Sequence, residues 1–405
     1  MEGRFASVAP LAPPAVAEVR TPGRIRVGYL SADFRSHAVG FLIAGMIEEH
    51  DRDKFEIFGI STGRNGQDPM RARLKAAFEH FIDVTDMNDE AVVALLRAKQ
   101  IDVAVDLMGF TRDSRLGVFA SRPAAIQVNY LGNPGTTAAD FFDYIIADRI
   151  VIPEGEQRFY SEKVVYMPDT YQCSDSKRVI GRTPNRGAVG LPDDGFVFCS
   201  FNRTDKITPE IFDIWMRLLH QTERSVLWLR QWNSIAAESL RHHAKTRGIA
   251  ADRLVFAPAI SIADHLARHR LADLFLDTLP FGAHTTASDA LWTGLPVLTC
   301  TGNTFPGRVA ASLLNAIGLP ELVTASLGEY EARALDLARN PEALASIKRK
   351  LQRNRETYPL FDTVRYTRNL EDAYARMVER QRSGRLPEAF AVQEPGVLLR
   401  VAPHH

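Results

Sequence analysis

Apolar and polar positions alternate in short blocks along the 405-residue chain. Brief runs rich in Val, Ile, Leu and Phe, too short for helices, read as buried parallel strands. Between them, apolar residues recur at three- and four-residue spacing, the mark of a helix with one buried face. In the first half these patterns predict strands over 25–31, 56–61, 80–84, 101–107, 126–131, 144–147 and 163–167, with helices over 39–49, 70–79 and 89–98. In the second half they predict strands over 196–201, 225–229, 253–256, 272–277 and 297–300. Helices are predicted there over 209–219, 234–246, 261–268, 285–292 and 305–317. Such alternation defines an α/β chain with parallel sheets covered by helices on both faces.

The polar, turn-rich segment SDSKRVIGRTPN separates two such sets, so two Rossmann-like domains are expected, over 24–183 and 184–362. Helices follow over 342–356 and 363–381. Residues 1–23, with four prolines and little periodicity, read as a linker or disordered arm, and 382–405 as a poorly ordered tail.

Composition narrows the class. With 45% apolar and 24% charged residues the chain is that of a globular enzyme. Its 49 basic and 49 acidic residues cancel, which removes any bulk electrostatic case for nucleic acid or an anionic membrane. Three scattered cysteines (Cys173, Cys199, Cys300) point to a reducing, cytoplasmic setting and lack metal-ligand spacing. No apolar run reaches transmembrane length.

Open parallel sheets bind ligands beyond the carboxyl ends of their strands, and two in succession place a crevice between them. The chemistry-bearing loops fall at such ends: 31–37, 106–111 and 133–137 in the first half, 202–206 and 284–289 in the second. The fullest of these stretches is LADLFLDTLPFGAHTTASDALWTGLPVLTC, which reads as strand, small-residue turn and hydroxyl-rich helix start. Free amides, a positive dipole end and Thr285 and Thr286 suit a phosphate, although two threonines also serve simply as caps. No G-x-G-x-x-G follows a strand and no P-loop is present. The lone D-x-D, Asp51-Arg52-Asp53, reads as a surface turn, so a metal-bridged diphosphate is not supported.

What remains is a phosphorylated ligand held by amides, hydroxyls and a lysine. Lys206, just past a buried strand in FNRTDKITPE, is that lysine or else an ordinary solvated one. His265 and Arg268 share a helix face, for stacking on a base or for surface packing. Asp289 suits ribose hydroxyls or complements a helix dipole. His37 is a general-base candidate beside a loop-histidine alternative, and Asp106 ends a buried strand where a carboxylate needs a partner or a function. The hydroxyls of Pro134-Gly135-Thr136-Thr137 form a turn or meet a sugar.

These residues also carry a resemblance. SADFRSHAVGFL, DLMGFT, RPAAIQVNYLGNPGTT, FYSEKVVYMP, FCSFNRTDKITPEIFDIWMRLL, SVLWL and LADLFLDTLPFGAHTTASDALWTGLPVLT resemble, in order from about 25 to 377, the catalytic region of O-linked N-acetylglucosamine transferases and the related SPINDLY enzymes. The chain is similar to the bacterial members of that family. The resemblance implies a GT-B fold of two domains across a cleft, a C-terminal helix returning to the first domain, and no metal cofactor. It implies inverting transfer of N-acetylglucosamine from UDP-GlcNAc to Ser or Thr of a protein acceptor. By motif, Lys206, Thr285 and Thr286 would face the diphosphate, His265 and Arg268 the uracil, Asp289 the ribose and His284 the sugar–diphosphate region. His37 would lie near the acceptor, with Asp106 and Thr111 in the crevice floor; His37, Asp106 and the donor phosphate stay open as proton acceptors. The HTT…D pattern favours a UDP-sugar over GDP-fucose.

The chain departs from the animal enzymes at Ala38, Arg203 and Ile262, and tetratricopeptide repeats do not precede the match. Acceptor choice is therefore expected from another chain, a short peptide groove or a longer parent. Alternatives on the same scaffold are another sugar such as UDP-glucose, an epimerase or hydrolase, or a silent nucleotide-sugar-binding module.

Overall fold

The structure, a computed structural model, describes residues 23–63, 66 and 68–393. The arm expected at 1–23, apart from Gly23, and the part of the expected tail after residue 393 lie outside the described residues. The chain divides into two compact units. One runs to Asp175 and resumes at Asp362; the other is Ser176–Phe361. Residues 176–183, placed by sequence in the first domain, belong to the second unit, where Gly181 N donates to Ala263 O at 2.9 Å.

The first unit holds β1 (Ile25–Ser31), β2 (Phe55–Ser61), β3 (His80–Asp83), β4 (Val103–Asp106), β5 (Ile126–Asn129), β6 (Tyr144–Ala147) and β7 (Lys163–Tyr166). The second holds β8 (Val197–Ser200), β9 (Val226–Arg230), β10 (Leu254–Ala257), β11 (Leu274–Leu276), β12 (Val297–Cys300) and β13 (Val323–Thr324). A last short strand, β14 (Phe390–Ala391), returns to the first sheet and pairs parallel with β7. The expectation of a poorly ordered tail from residue 382 is corrected as far as residue 393: Arg376 donates to Ala391 O at 2.7 Å, and Val392 N to Tyr166 O at 2.9 Å.

Strand order is β14-β7-β6-β5-β4-β1-β2-β3 in one sheet and β10-β9-β8-β11-β12-β13 in the other. Each sheet therefore grows in opposite directions from its first strand, the doubly wound order. Such a sheet has a switch point where the two directions diverge, between β1 and β4 in one unit and between β8 and β11 in the other. Crossover helices leave on opposite faces at that point, opening a notch at the carboxyl edge.

Local chemistry sets the helix ends that shape these notches. Thr208 accepts from Ile211 N at 3.3 Å, and Pro209 supplies a ready-made first-turn φ for helix Pro209–Gln221. Ser261 and Asp264 form the reciprocal cap that their spacing suggests, starting helix Ile262–His269. Gly294, at φ 88°, closes helix Thr285–Thr293 in the left-handed region, which a side chain would resist. In the first unit Leu30, Phe58, Ile60, Val92, Leu96 and Phe119 belong to one buried core.

Helix Thr363–Arg382 packs within the first unit through buried Leu370, Ala373, Tyr374 and Met377. Its buried carboxylate, Glu371, is matched. Glu371 accepts from Asp51 N at 2.7 Å and lies 3.0 Å from His50 Nδ1, whose other nitrogen meets Tyr29 Oη at 2.9 Å. Helix Leu327–Arg339 was not anticipated from the sequence; it buries only Tyr330, Ala334 and Leu337. Among the described residues no helix is long and apolar enough to cross a membrane.

Candidate functional site

In the second unit, the loops at the β8/β11 switch point are clamped together by two residues that the motifs alone did not single out. Asp277, at the end of β11, is buried, and its carboxylate accepts from Thr278 N (2.7 Å), Ala283 N (2.6 Å), Asn202 Nδ2 (3.2 Å) and Thr299 Oγ1 (2.7 Å). This wraps the 278–283 turn around one anion. Asn202, just past β8, spans the switch point: its amide donates to Thr278 Oγ1 at 2.8 Å, and its carbonyl accepts from Thr286 Oγ1.

Lys206 hangs over the same turn. Its Nζ donates to Gly282 O at 2.8 Å and sits 4.3 Å from the centre of the Phe281 ring. Half-burial pulls its pKa down to about 8, against the pull of Asp277 and Asp205. An ammonium has three donors, so the bond to Gly282 leaves two for a ligand. His284 occupies the cap position of helix Thr285–Thr293, stacked on Phe281 at 5.0 Å. Burial, then the Lys206 charge, push its imidazole down to about 3, so it is neutral at physiological pH. Its Nε2 lies 3.1 Å from Pro306 O, a group that can only accept. The proton must therefore be on Nε2, leaving Nδ1 with a bare lone pair. The first-turn amides at Thr285 and Thr286 have no carbonyl one turn back, as at any helix start. Lys206, His284, Thr285 and Thr286 thus converge on the helix's positive end.

His265 and Arg268 are not surface residues, as the bland reading of their spacing would have it; both are buried. The Arg268 guanidinium donates to Pro258 O (2.7 Å) and to His265 Nδ1 (2.5 Å) and lies 4.9 Å over the Phe201 ring. Burial drives the His265 pKa far down, so Nδ1 accepts and the imidazole stays neutral. Asp289 is 5% exposed and ion-paired with Arg178, which also reaches Ser288 Oγ at 3.3 Å. Arg178 lies 111 residues from its partner and carries no motif of its own.

The first unit gathers the remaining predicted residues at the carboxyl edge around its β1/β4 switch point. His37 caps helix Ala38–Glu49 and is 39% exposed at its side chain, with Nδ1 3.3 Å from Asp33 Oδ2. Burial lowers its pKa, against the pull of Asp33. Asp106 is 2% exposed, accepts from Met108 N (3.0 Å) and Gly109 N (2.8 Å), and burial pushes its pKa up to about 6. The Thr111 hydroxyl donates to Met108 O at 2.9 Å, within the same turn.

The 134–137 loop is tied down rather than open. Buried Glu162 accepts from Thr137 N, Thr137 Oγ1 and Asn129 Nδ2 at 2.8, 2.7 and 3.1 Å, and from Thr136 Oγ1 at 2.5 Å. Both threonine protons are spent there. Glu162→Gln keeps the shape but turns one acceptor into a donor among donors. It should cost about 1–2 kcal/mol, read as a lower urea midpoint; an unchanged midpoint would remove Glu162 from this role.

Two doubly wound parallel units, one with a lysine, a neutral histidine and a hydroxyl-rich helix start at its switch point, form the scaffold of a GT-B glycosyltransferase. The chain belongs to glycosyl transferase family 41, whose sequence profile matches residues 13–189 and 182–370. It is 36% identical, over 95% of its own length, to an Arabidopsis thaliana protein described as a probable UDP-N-acetylglucosamine–peptide N-acetylglucosaminyltransferase. It is 28% identical, over 90% of its length, to a Caenorhabditis elegans UDP-N-acetylglucosamine–peptide N-acetylglucosaminyltransferase. The chain spans 40% and 42% of those relatives. Among solved structures, a mutant of the Thermobaculum terrenum O-GlcNAc transferase superposes with a TM-score of 0.84 at 33% identity, over 93% of this chain and 71% of that one. Anabaena HepE bound to UDP and glucose shares the fold alone, at a TM-score of 0.61 and 14% identity over 87% of this chain. The chain is an O-GlcNAc-transferase-like catalytic region.

Proposed function

We propose that this chain transfers N-acetylglucosamine from UDP-GlcNAc to Ser or Thr hydroxyls of a protein, inverting the anomeric carbon and needing no metal. The observation that carries the reading is the helix start at Thr285, faced by Lys206. It offers amides, a hydroxyl and an ammonium where a nucleoside diphosphate needs them. The second unit would hold the donor: His265 and Arg268 the base, Asp289 the ribose, and Lys206 with Thr285 and Thr286 the diphosphate. The neutral His284, with a lone pair on Nδ1, would accept a hydrogen bond from a sugar hydroxyl or amide. The relatives' descriptions support both the donor and the peptide acceptor.

As the acceptor oxygen attacks, the glycosidic bond to the diphosphate breaks and negative charge grows on the leaving oxygen. Lys206 answers that charge, which is why no metal is required. Asp277 cannot easily hold a metal, since its carboxylate already serves four donors. For the acceptor's proton, His37 suits the role better than Asp106. Asp106 is buried with both oxygens bonded to backbone amides, whereas His37 is partly exposed with a carboxylate behind it. Nδ1 lies 3.4 Å from Val39 N, the cap bond, and 3.3 Å from Asp33 Oδ2; the tautomer that donates to Asp33 gives up the cap and leaves Nε2 bare as a base. Asp106 then shapes the turn through Met108 and Gly109.

The test incubates the protein with UDP-GlcNAc, UDP-glucose or GDP-fucose and Ser/Thr peptides, reading product by mass spectrometry. Peptide gaining one N-acetylhexosamine from UDP-GlcNAc is expected. Free sugar or an epimer without modified peptide would replace the transferase reading, and preference for GDP-fucose would overturn the donor.

A further inference from the structure

Among the described residues, one guanidinium at the carboxyl edge of the second sheet has nothing to hold. Arg230 is the last residue of β9, at the carboxyl edge of the sheet. Among the described residues its side chain makes no hydrogen bond or ion pair, although it is half-buried. Its neighbours differ. Arg178 is committed to Asp289, and Arg268 to Pro258 O and His265. Arg230 instead lies against an aromatic ring, its guanidinium 4.5 Å from the centre of Trp232. Trp232 is in turn fixed: its Nε1 donates to Asn202 O at 3.2 Å. The side chain of that same Asn202 grips Thr286 at the start of helix Thr285–Thr293.

Arg230 is thus mounted, through one tryptophan and one asparagine, on the proposed diphosphate-binding helix end. Its charge also acts on Asp289, His265 and Arg268, the groups proposed for ribose and base. A half-buried cation with its donors open forgoes part of its hydration, a cost that an arriving anion offsets. The planar fork suits two phosphate oxygens at once, whereas ribose hydroxyls and a neutral base offer no charge to meet. The ring beneath it limits the rotamers lost on binding.

Resting on the donor reading above, we propose that Arg230, presented by Trp232, is a phosphate contact of the nucleoside diphosphate, additional to Lys206 and the helix start. It sets affinity for the phosphorylated part of the donor rather than for the nucleoside.

The experiment measures calorimetric affinity for UDP and for uridine in the wild-type protein, Arg230→Met and Arg230→Lys, with melting temperatures as a check on folding. Arg230→Met should bind UDP about 10-fold or more weakly, the loss of a charge-assisted contact, while uridine affinity stays unchanged. Arg230→Lys, which keeps the charge but not the fork, should fall between. Equal UDP affinity in wild type and Arg230→Met would overturn the proposal, as would UDP and uridine weakening by the same factor. A wild-type protein that does not bind UDP would overturn the donor reading, and this proposal with it.

Discussion

Replacing Lys206 by alanine is expected to cut turnover at least ~10²-fold, the usual cost of removing one preorganised donor from a developing oxyanion. The effect should fall mainly on kcat, because the charge Lys206 answers grows as the sugar leaves. Folding should be largely spared, since among the described residues the side chain makes one hydrogen bond, to Gly282 O at 2.8 Å, and is only half-buried. The pH profile supplies a second, sharper reading. In the free protein the Lys206 pKa is pulled down to about 8 by burial. The ammonium is complete well below that value and is lost as pH rises through it. kcat/KM, which reports the free enzyme, should therefore descend through about pH 8, up to tenfold per further unit. In the donor complex the diphosphate stabilises the ammonium, so the limb in kcat should sit at higher pH. Lys206→Arg keeps a permanent charge and should lose the limb. An alanine variant within about threefold of wild type, or an arginine variant that retains the limb, would sink the role.

Much of this architecture was legible because it is local. Strands such as Tyr144–Ala147 and Val297–Cys300, and helices such as Asp89–Ala98 and Ser234–Thr246, announce themselves by apolar runs, spacing and caps within one window. Helix Leu327–Arg339 was missed because three buried residues, at i, i+4 and i+7, are a thin stripe in a polar segment. Strand Phe390–Ala391 is two residues long and exists through its pairing with β7, which no local window contains. The site divides in the same way. Lys206, Thr285 and Thr286 sit at strand ends and helix starts that the pattern itself locates. Asn202 and Asp277 are 75 residues apart, and Arg178 and Asp289 are 111 apart. The first pairing is a consequence of the doubly wound order, which brings β8 beside β11. Arg230 and Glu162 carried no motif, and only their surroundings single them out.

Asp289→Ala is expected to be the most destabilising single change around the site, by roughly 3–5 kcal/mol, because it strands a buried guanidinium. The side chains of Arg178 and Asp289 are 5% and 7% exposed, so water cannot take over the lost partner. The charge of Asp289 also acts on Arg230, so its removal leaves two arginines facing less negative charge. Burial raises the Asp289 pKa, and Arg178 pulls it back; the pair holds because each ion compensates the other's desolvation. Arg178→Met together with Asp289→Ala removes both ions and should recover most of the loss, since apolar replacement of a whole buried pair is often neutral. Urea midpoints of the two single variants and the double variant close the cycle, and additive losses would show that the pair is not coupled. This result also bears on the proposed ribose contact. A carboxylate already holding Arg178 can still accept a ribose hydroxyl through a remaining lone pair. Asp289→Asn, which keeps the shape but loses the charge, therefore separates the two roles. Weaker uridine binding at a near-normal urea midpoint supports the ribose contact, whereas a lower midpoint with unchanged uridine affinity assigns Asp289 to the architecture alone.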